Sequence, residues 1–313
     1  MSYSQLISQR LWNLPEKAEL ESTREKDFID DIVQKSHIER ELLANLEGIR
    51  TVFDGGAGSG RFSILLARQG IHVVHFDISQ PMLDKARELA AVAGVKQNMT
   101  FVLGVLEDLS MFGDGQFDMV ISFDAPISYT WPNQEKVIRE LVRIAGKRFM
   151  ISVSSRLGAL PYFANPLQKN QFLLDVSSSN SWVRWCLVNK QEMVDNFRFD
   201  KHSSEEFLKH GLNGDGEEEI RQYENGETPW PITYHFMPDE LTHILQGCGV
   251  HDIELAGPGA YARTIPNEIL VKLMNDSQQK QDFLDFCYQY DKNPFVCGMG
   301  KDNLFAKGKI GPE

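Results

Sequence analysis

The chain has 313 residues, 42% of them hydrophobic, and a formal net charge of -12 from 32 Lys and Arg against 44 Asp and Glu. That composition is ordinary for a globular protein with ample material for a core. The negative balance, with no stripe of cations, speaks against a nucleic-acid backbone as partner, and the absence of a long apolar run speaks against a membrane span.

In chain order, residues 1–24 are polar with isolated Leu6, Leu11, Trp12 and Leu14 ahead of Pro15, which suits a short helix or a flexible arm. From Glu25 to Leu46 the apolar positions Phe28, Ile29, Ile32, Val33, Ile38, Leu42, Leu43 and Leu46 recur mostly at three and four, which predicts an amphipathic helix ended by Gly48. The run Thr51-Val52-Phe53 then reaches Asp54 and breaks into Gly55-Gly56-Ala57-Gly58-Ser59-Gly60 before a helical pattern from Arg61 to Arg68. Strand, tight loop and helix are expected, with the free amides of the helix aimed into the loop. Glycines at 56, 58 and 60 keep the backbone bare for a nucleotide-like ligand. A dinucleotide fingerprint fits poorly, because position 61 holds Arg61 in one frame and position 63 holds Ser63 in the other. Asp54 would repel a pyrophosphate and suits a cation.

A second apolar strand, Ile71 to Asp77, ends in an acid 17 residues past Gly60. In open α/β sheets an acid at that edge accepts ribose hydroxyls. A helix over 80–93 follows, with Pro81 in its first turn and Gly94 as its stop. Met99–Leu103 reads as a third strand, followed by Gly104-Val105-Leu106-Glu107-Asp108-Leu109. The fourth runs from Gln116 into Phe123-Asp124-Ala125-Pro126, and its loop carries Ser128, Tyr129 and Trp131. A helix over 133–145 and a fifth strand over 148–153 complete an alternating pattern that implies parallel strands. Residues 154–235 are too long for an unstructured connection and are expected to hold helices. Trp182, Trp185, Phe163, Tyr162 and Trp230 would line an enclosed, partly apolar site there, and the acidic segment 214–219 would be solvated. The pattern resumes with a helix from Pro238 to Gly247, a strand over 251–256, helices over 266–275 and 277–290, and a last strand over 302–308.

The string Asp54-x-Gly56-x-Gly58-x-Gly60 resembles motif I of the class I S-adenosylmethionine-dependent methyltransferases. Asp77-Ile78-Ser79-x-Pro81-Met82-Leu83 followed by Ala86 resembles motif II. The resemblance implies an α/β fold with a seven-stranded, doubly wound, mostly parallel sheet whose last strand is antiparallel, here with a helical cap inserted after the fifth strand. It implies S-adenosyl-L-methionine as cofactor, held by Asp54, Gly56, Gly58, Gly60, Asp77, Ile78 and Met82. Residues 104–109 are similar to a family pattern Gly-Asp-Ala-Glu-Asp-Leu whose first acid reaches the adenine amino group. Val105 stands in place of that acid, so Leu106 or Glu107 is expected at the adenine edge; solvation of Glu107 is the alternative.

Residues 116–126 resemble motif IV, whose end faces the transferable methyl, so Asp124 is expected both at the cofactor and as a catalytic candidate, acting as general base or by stabilising charge. Tyr129 and His235 are further catalytic candidates. Trp131 and Arg156 are candidates for the substrate, Arg156 because a guanidinium fork matches a carboxylate. The competing structural readings are packing anchors for Tyr129 and Trp131, a capping role for His235 and an internal ion pair for Arg156. Asp118, His72 and His75 are expected to be structural. Tyr3 or Trp12 would belong to a lid, unless the N-terminal helices pack on the sheet for stability alone.

The expected division is residues 1–49 as an N-terminal helical arm or lid, 50–153 as the S-adenosylmethionine-binding core, 154–235 as an inserted cap or substrate region, and 236–313 as the remainder of the core. The expected function is methyl transfer to a small-molecule acceptor. The alternatives are a cyclase or lyase that consumes S-adenosylmethionine, and a catalytically silent protein that binds it. Cys186, Cys248, Cys287 and Cys297 have no metal-ligand spacing, so reduced thiols and no metal are expected. Without the apolar core of a signal peptide at its start, the chain is expected in the cytoplasm, free of nucleic acid and membrane. Its oligomeric state is left open.

Overall fold

The computed structural model describes residues 2–23, 29–161, 190–212, 216–300 and 303–311. The elements are α1 (Tyr3–Trp12), α2 (Pro15–Thr23), α3 (Ile29–Ala44), β1 (Thr51–Gly55), α4 (Arg61–Arg68), β2 (His72–Asp77), α5 (Gln80–Val92), β3 (Met99–Leu103) and β4 (Phe117–Ser122). They continue as α6 (Gln134–Ile144), β5 (Ala145–Val153), α7 (Arg156–Ala159), α8 (Lys190–Asn196), α9 (Lys201–His210), α10 (Glu217–Glu224) and α11 (Pro238–Gly247). The last are β6 (His251–Ala256), α12 (Asn267–Asn275), α13 (Ser277–Tyr290) and β7 (Leu304–Lys309). The aromatic residues Tyr162, Phe163, Trp182 and Trp185, and Cys186, lie outside the described residues.

One seven-stranded sheet has the order β3-β2-β1-β4-β5-β7-β6. The first five strands of that order are parallel, and β7 runs antiparallel between β5 and β6. This is the α/β architecture expected from the sequence. The central strands read as near-continuous apolar runs because helices cover both faces. Phe53, Phe76, Phe117 and Phe149 pack with α6 and α11 on one face, while Val52, Val73, Met119 and Met150 pack with α3 and α4 on the other. Burying each such phenylalanine contributes roughly 2–3 kcal/mol. The edge strand β6 instead alternates, with Asp252 and Glu254 outward, as an edge open to solvent requires.

Helix α6 places Val137, Ile138, Leu141 and Val142 on the sheet side, and β5 starts at Ala145 without a loop. That start is three residues earlier than the apolar run suggests, because Ala145 already pairs with Phe117. The N-terminal segment forms two helices. Helix α1 is closed by a capping box in which Ser2 and Gln5 bond reciprocally.

Parallel register brings the functional positions together. Asp54 lies beside His75 of β2 and Ile121 of β4, so the carboxyl ends of β1, β2 and β4 open into one crevice. That is where a doubly wound sheet changes direction and where ligands of such sheets bind.

Candidate functional site

The glycine loop begins where β1 ends. The Gly56 and Ala57 amides both donate to the Phe76 carbonyl, at 2.8 and 3.2 Å, which folds the loop onto β2. Gly56 has φ 68°, and a Cβ there would lie 2.4 Å from the Cβ of Pro126. Glycine is therefore required twice at this position, by backbone and by space. Gly60 precedes α4 without a side-chain cap, so the first amides of that helix face the loop.

Three carboxylates converge on this loop. Asp54 is buried, and Ser63 Oγ lies 2.6 Å from its Oδ2. Burial, with Asp77 and Asp124 nearby, pushes its carboxyl up to about 7 against the opposing hydrogen bond from Ser63. Asp77 accepts the Gly58 amide at 2.8 Å and the Ser79 amide at 2.9 Å. Its burial outweighs those amides and lifts it to about 6. Asp124 sits at φ 65° in a left-handed turn shared with Ala125. Its amide donates to Ser152 Oγ at 2.9 Å, which anchors the turn to β5. A left-handed alanine costs of order 1–3 kcal/mol and persists where surrounding contacts enforce it; here the turn turns the Asp124 carboxylate toward α3.

The counter-charge comes from there. Lys35 Nζ is 3.6 Å from Asp124 Oδ2, and its side chain is 6% exposed against 34% for Asp124. Sequence reasoning did not find Lys35, since it stands on an amphipathic helix with no motif around it. Ile78 is half-buried and Met82 is buried in the first turn of α5, whose cap is the Ser79 hydroxyl.

On the far side of the crevice, Leu106 is buried and Glu107 is half-buried, and that burial raises its carboxyl despite a hydrogen bond from Gln5. Its Oε1 is buried and has no hydrogen-bond partner among the described residues. An orphaned acceptor in the position expected for an adenine amino group is what an adenosine-bearing ligand would satisfy.

Helix α1 touches the loops that follow β3, β4 and β2. Gln5 reaches Glu107, Ser4 Oγ donates to the Trp131 carbonyl at 2.5 Å, and the Trp12 carbonyl accepts from Ser79 Oγ at 2.7 Å. Trp12 also packs against Tyr129 and Trp230, with ring centroids 6.1 and 5.8 Å away. Tyr3 points elsewhere, bonding Glu224 and packing on Tyr223. The two residues named for a lid thus part company.

Two candidates make the contacts of their competing structural readings. Arg156 is 6% exposed and committed inside the protein: its Nη2 pairs with Glu240 at 3.0 Å and its Nε donates to the His235 carbonyl at 3.0 Å. Its fork joins α7 to the start of α11, the internal ion pair weighed against a substrate role. The His235 imidazole lies on Phe207 at 4.9 Å, with Nδ1 3.1 Å from the Gly211 carbonyl. It sits at the junction between α9 and α11, as the capping reading has it. Asp118 meets its expectation, accepting the Arg50 and Thr51 amides and pairing with Lys147 at 2.7 Å. A separate cavity of about 410 Å³, lined by Glu41, Lys292, Lys307 and residues of β6, contains none of these positions.

Residues 52–147 match the family described as Methyltransferase domain. The chain is 31% identical to magnesium-protoporphyrin O-methyltransferase of Rhodobacter capsulatus over 39% of its length and 52% of that protein. It is 30% identical to demethylmenaquinone methyltransferase of Leptospira interrogans over 50% of its length and 56% of that protein. It is 31% identical to tRNA 5-carboxymethoxyuridine methyltransferase of Escherichia coli over 22% of its length and 27% of that protein. The chain spans about half the length of the first two relatives. Across its cofactor half it is similar to the class I S-adenosylmethionine-dependent methyltransferases, which use S-adenosylmethionine.

Proposed function

We propose that this chain, which carries a methyltransferase domain over residues 52–147, binds S-adenosylmethionine in the crevice at β1, β2 and β4 and transfers its methyl group to a small-molecule acceptor. The observation that carries the reading is the convergence of Asp54, Asp77 and Asp124 on a glycine loop. Three acids in a partly desolvated crevice repel one another and suit a cationic ligand, which a sulfonium with an ammonium is and a pyrophosphate is not.

In this reading the cofactor supplies a methyl group already activated on sulfur, and the chain supplies placement. Asp77 would accept the ribose hydroxyls, exchanging its bond to the Gly58 amide for them. Leu106 and the orphaned Glu107 oxygen would hold the adenine edge. Asp54 and Asp124 would balance positive charge near the methyl-bearing end. Helix α1, with Trp12, Tyr129 and Trp230, would form the lid that excludes water, and Trp131 would border the acceptor. The inserted region 154–235 would complete the acceptor side, its described part already helical in α7 to α10.

The net charge of -12 favours a small acceptor over tRNA, because phosphate contacts dominate nucleic-acid affinity. Calorimetry should detect S-adenosylmethionine but not NADH, with Asp77→Ala weakening the former roughly a hundredfold through lost charge-assisted hydrogen bonds. Binding of NADH alone would sink the proposal. Labelled methyl transfer into a small-molecule extract, and not into tRNA, is the expected activity. Formation of methylthioadenosine without acceptor would instead indicate a cyclase or lyase.

A further inference from the structure

Beneath the glycine loop lies a buried chain of polar groups that cofactor contacts alone do not explain. Asp54 Oδ2 is 2.6 Å from Ser63 Oγ, Ser63 Oγ is 2.9 Å from His75 Nδ1, and His75 Nε2 is 3.2 Å from the Gly58 carbonyl. Asp54, Ser63 and His75 are exposed by 2%, 0% and 0%. The chain therefore links the strand-end acid to the middle of the loop with no water-facing member.

Counting protons decides its state. Each of the three contacts joins two electronegative atoms and needs one hydrogen between them. A serine hydroxyl supplies one and a neutral imidazole supplies one. The third must sit on Asp54 as a carboxylic acid or on His75 as a second ring proton. Burial, assisted by Arg87, holds His75 down to about 4 despite the Gly58 carbonyl, so the imidazole stays neutral and the extra proton belongs to Asp54. With Asp54 ionised, the Ser63 hydrogen turns to the carboxylate. His75 must then present a lone pair either to Ser63 or to the Gly58 carbonyl, and one contact becomes repulsive.

We propose that Asp54, Ser63 and His75 form a proton relay that loses one proton to solvent when a cationic ligand enters the glycine loop, and that Ser63 and His75 are positioning residues for that loop. The proposal rests on the S-adenosylmethionine reading of the site. The released proton leaves Asp54, no covalent bond between heavy atoms changes, and the ligand's positive charge replaces it. The charged groups facing the relay agree with this direction. Asp77 from β2 and Asp124 from the end of β4 face Asp54, and Asp124 is itself attended by Lys35 of α3 and Arg61 of α4. Arg87 of α5 lies toward His75, above the Phe101 ring of β3 that packs on the imidazole at 5.4 Å. Gly58 is held at both ends, its carbonyl by His75 and its amide by Asp77. Loss of the proton weakens the first hold and so eases release of the Asp77 carboxylate from the second.

The test is calorimetric titration of the full chain with S-adenosylmethionine in buffers of different ionisation enthalpy. Release from the relay should be about half a proton at pH 7 and vanish by about pH 8.5, while Asp77, itself lifted to about 6, adds its own proton as pH falls toward 6. Ser63→Ala removes the hydroxyl that stabilises the Asp54 anion and should move this profile up by roughly one pH unit. His75→Phe frees that hydroxyl to serve the anion and should move it down by a similar amount. A purely structural role weakens binding in both variants without opposite displacements. No proton release in the wild type, or equal displacement of both variants, overturns the relay. Infrared titration of the ligand-free protein, with Asp54→Asn assigning the acid band, gives a second readout. Asp54 should be a carboxylic acid at about pH 6, and an ionised group there overturns the relay. Absence of any binding heat would remove the S-adenosylmethionine reading itself, leaving the infrared band to decide the relay.

Discussion

The Lys35 ammonium lies 3.6 Å from the Asp124 carboxylate, so a helix ahead of the glycine loop holds the left-handed turn that ends β4. The pair is mostly sheltered, and its positive member opposes any cation entering the crevice. Lys35→Met should therefore strengthen S-adenosylmethionine binding by roughly three- to tenfold through removed Coulomb repulsion. Titration at low and high salt checks this, and weaker binding at both would show that the lysine instead shapes the site.

Gly56→Ala should abolish cofactor binding while the sheet still folds. The added Cβ would meet Pro126 at 2.4 Å and the residue would keep φ 68°, so the loop must move off the β4 turn. Circular dichroism should stay near wild type while affinity falls by more than about a hundredfold.

Glu107 offers one buried acceptor oxygen with no partner among the described residues. Its truncation in Glu107→Ala should cost S-adenosylmethionine affinity roughly tenfold, about the value of one hydrogen bond to a charged acceptor. The melting temperature of the ligand-free protein should hold or rise, because removal of the unpartnered, buried Oε1 offsets the lost Gln5 hydrogen bond.

Arg156→Met should unfold the junction of α7 and α11 before it affects chemistry. The guanidinium pairs with Glu240 and donates to the His235 carbonyl, and removing one partner of a buried pair costs about 3 kcal/mol. Denaturant titration should report that loss with the acceptor KM unchanged; a raised KM at full stability would restore the substrate role.

Glu41 on α3 is 1% exposed and accepts from Lys292, from Lys307 at 2.8 Å and from Tyr288 at 2.7 Å. Burial pushes its carboxyl up, but these three partners outweigh burial and hold it at about 2. A folded-state value below the unfolded one contributes stability above pH ~4.5 that is lost as pH falls toward 2. Glu41→Gln should thus be less stable than wild type at neutral pH, with the difference closing through that window in pH-dependent melting.

What could be read in the chain was whatever local chemistry repeats in every such fold. Asp54 with its glycines and Asp77 at the next strand end were legible because a bare, sharply turned backbone and an acid at a strand edge are requirements of the loop itself. The strands were legible because doubly covered positions must be apolar, as at Val52 and Phe53. The partners of those residues were not, because nothing local sets them. Lys35 meets Asp124 and Gln5 meets Glu107 only once α3 and α1 have docked on the sheet. Arg156 looked available in the sequence, yet folding brings Glu240 from 84 residues away to claim it. His75 read as a strand residue, and only the parallel register of β1 and β2, with α4 packed above them, joins it through Ser63 to Asp54. Local backbone demands leave a mark at neighbouring positions; an ion pair or a proton path between distant segments leaves none, since its geometry exists only after the helices have buried their apolar faces.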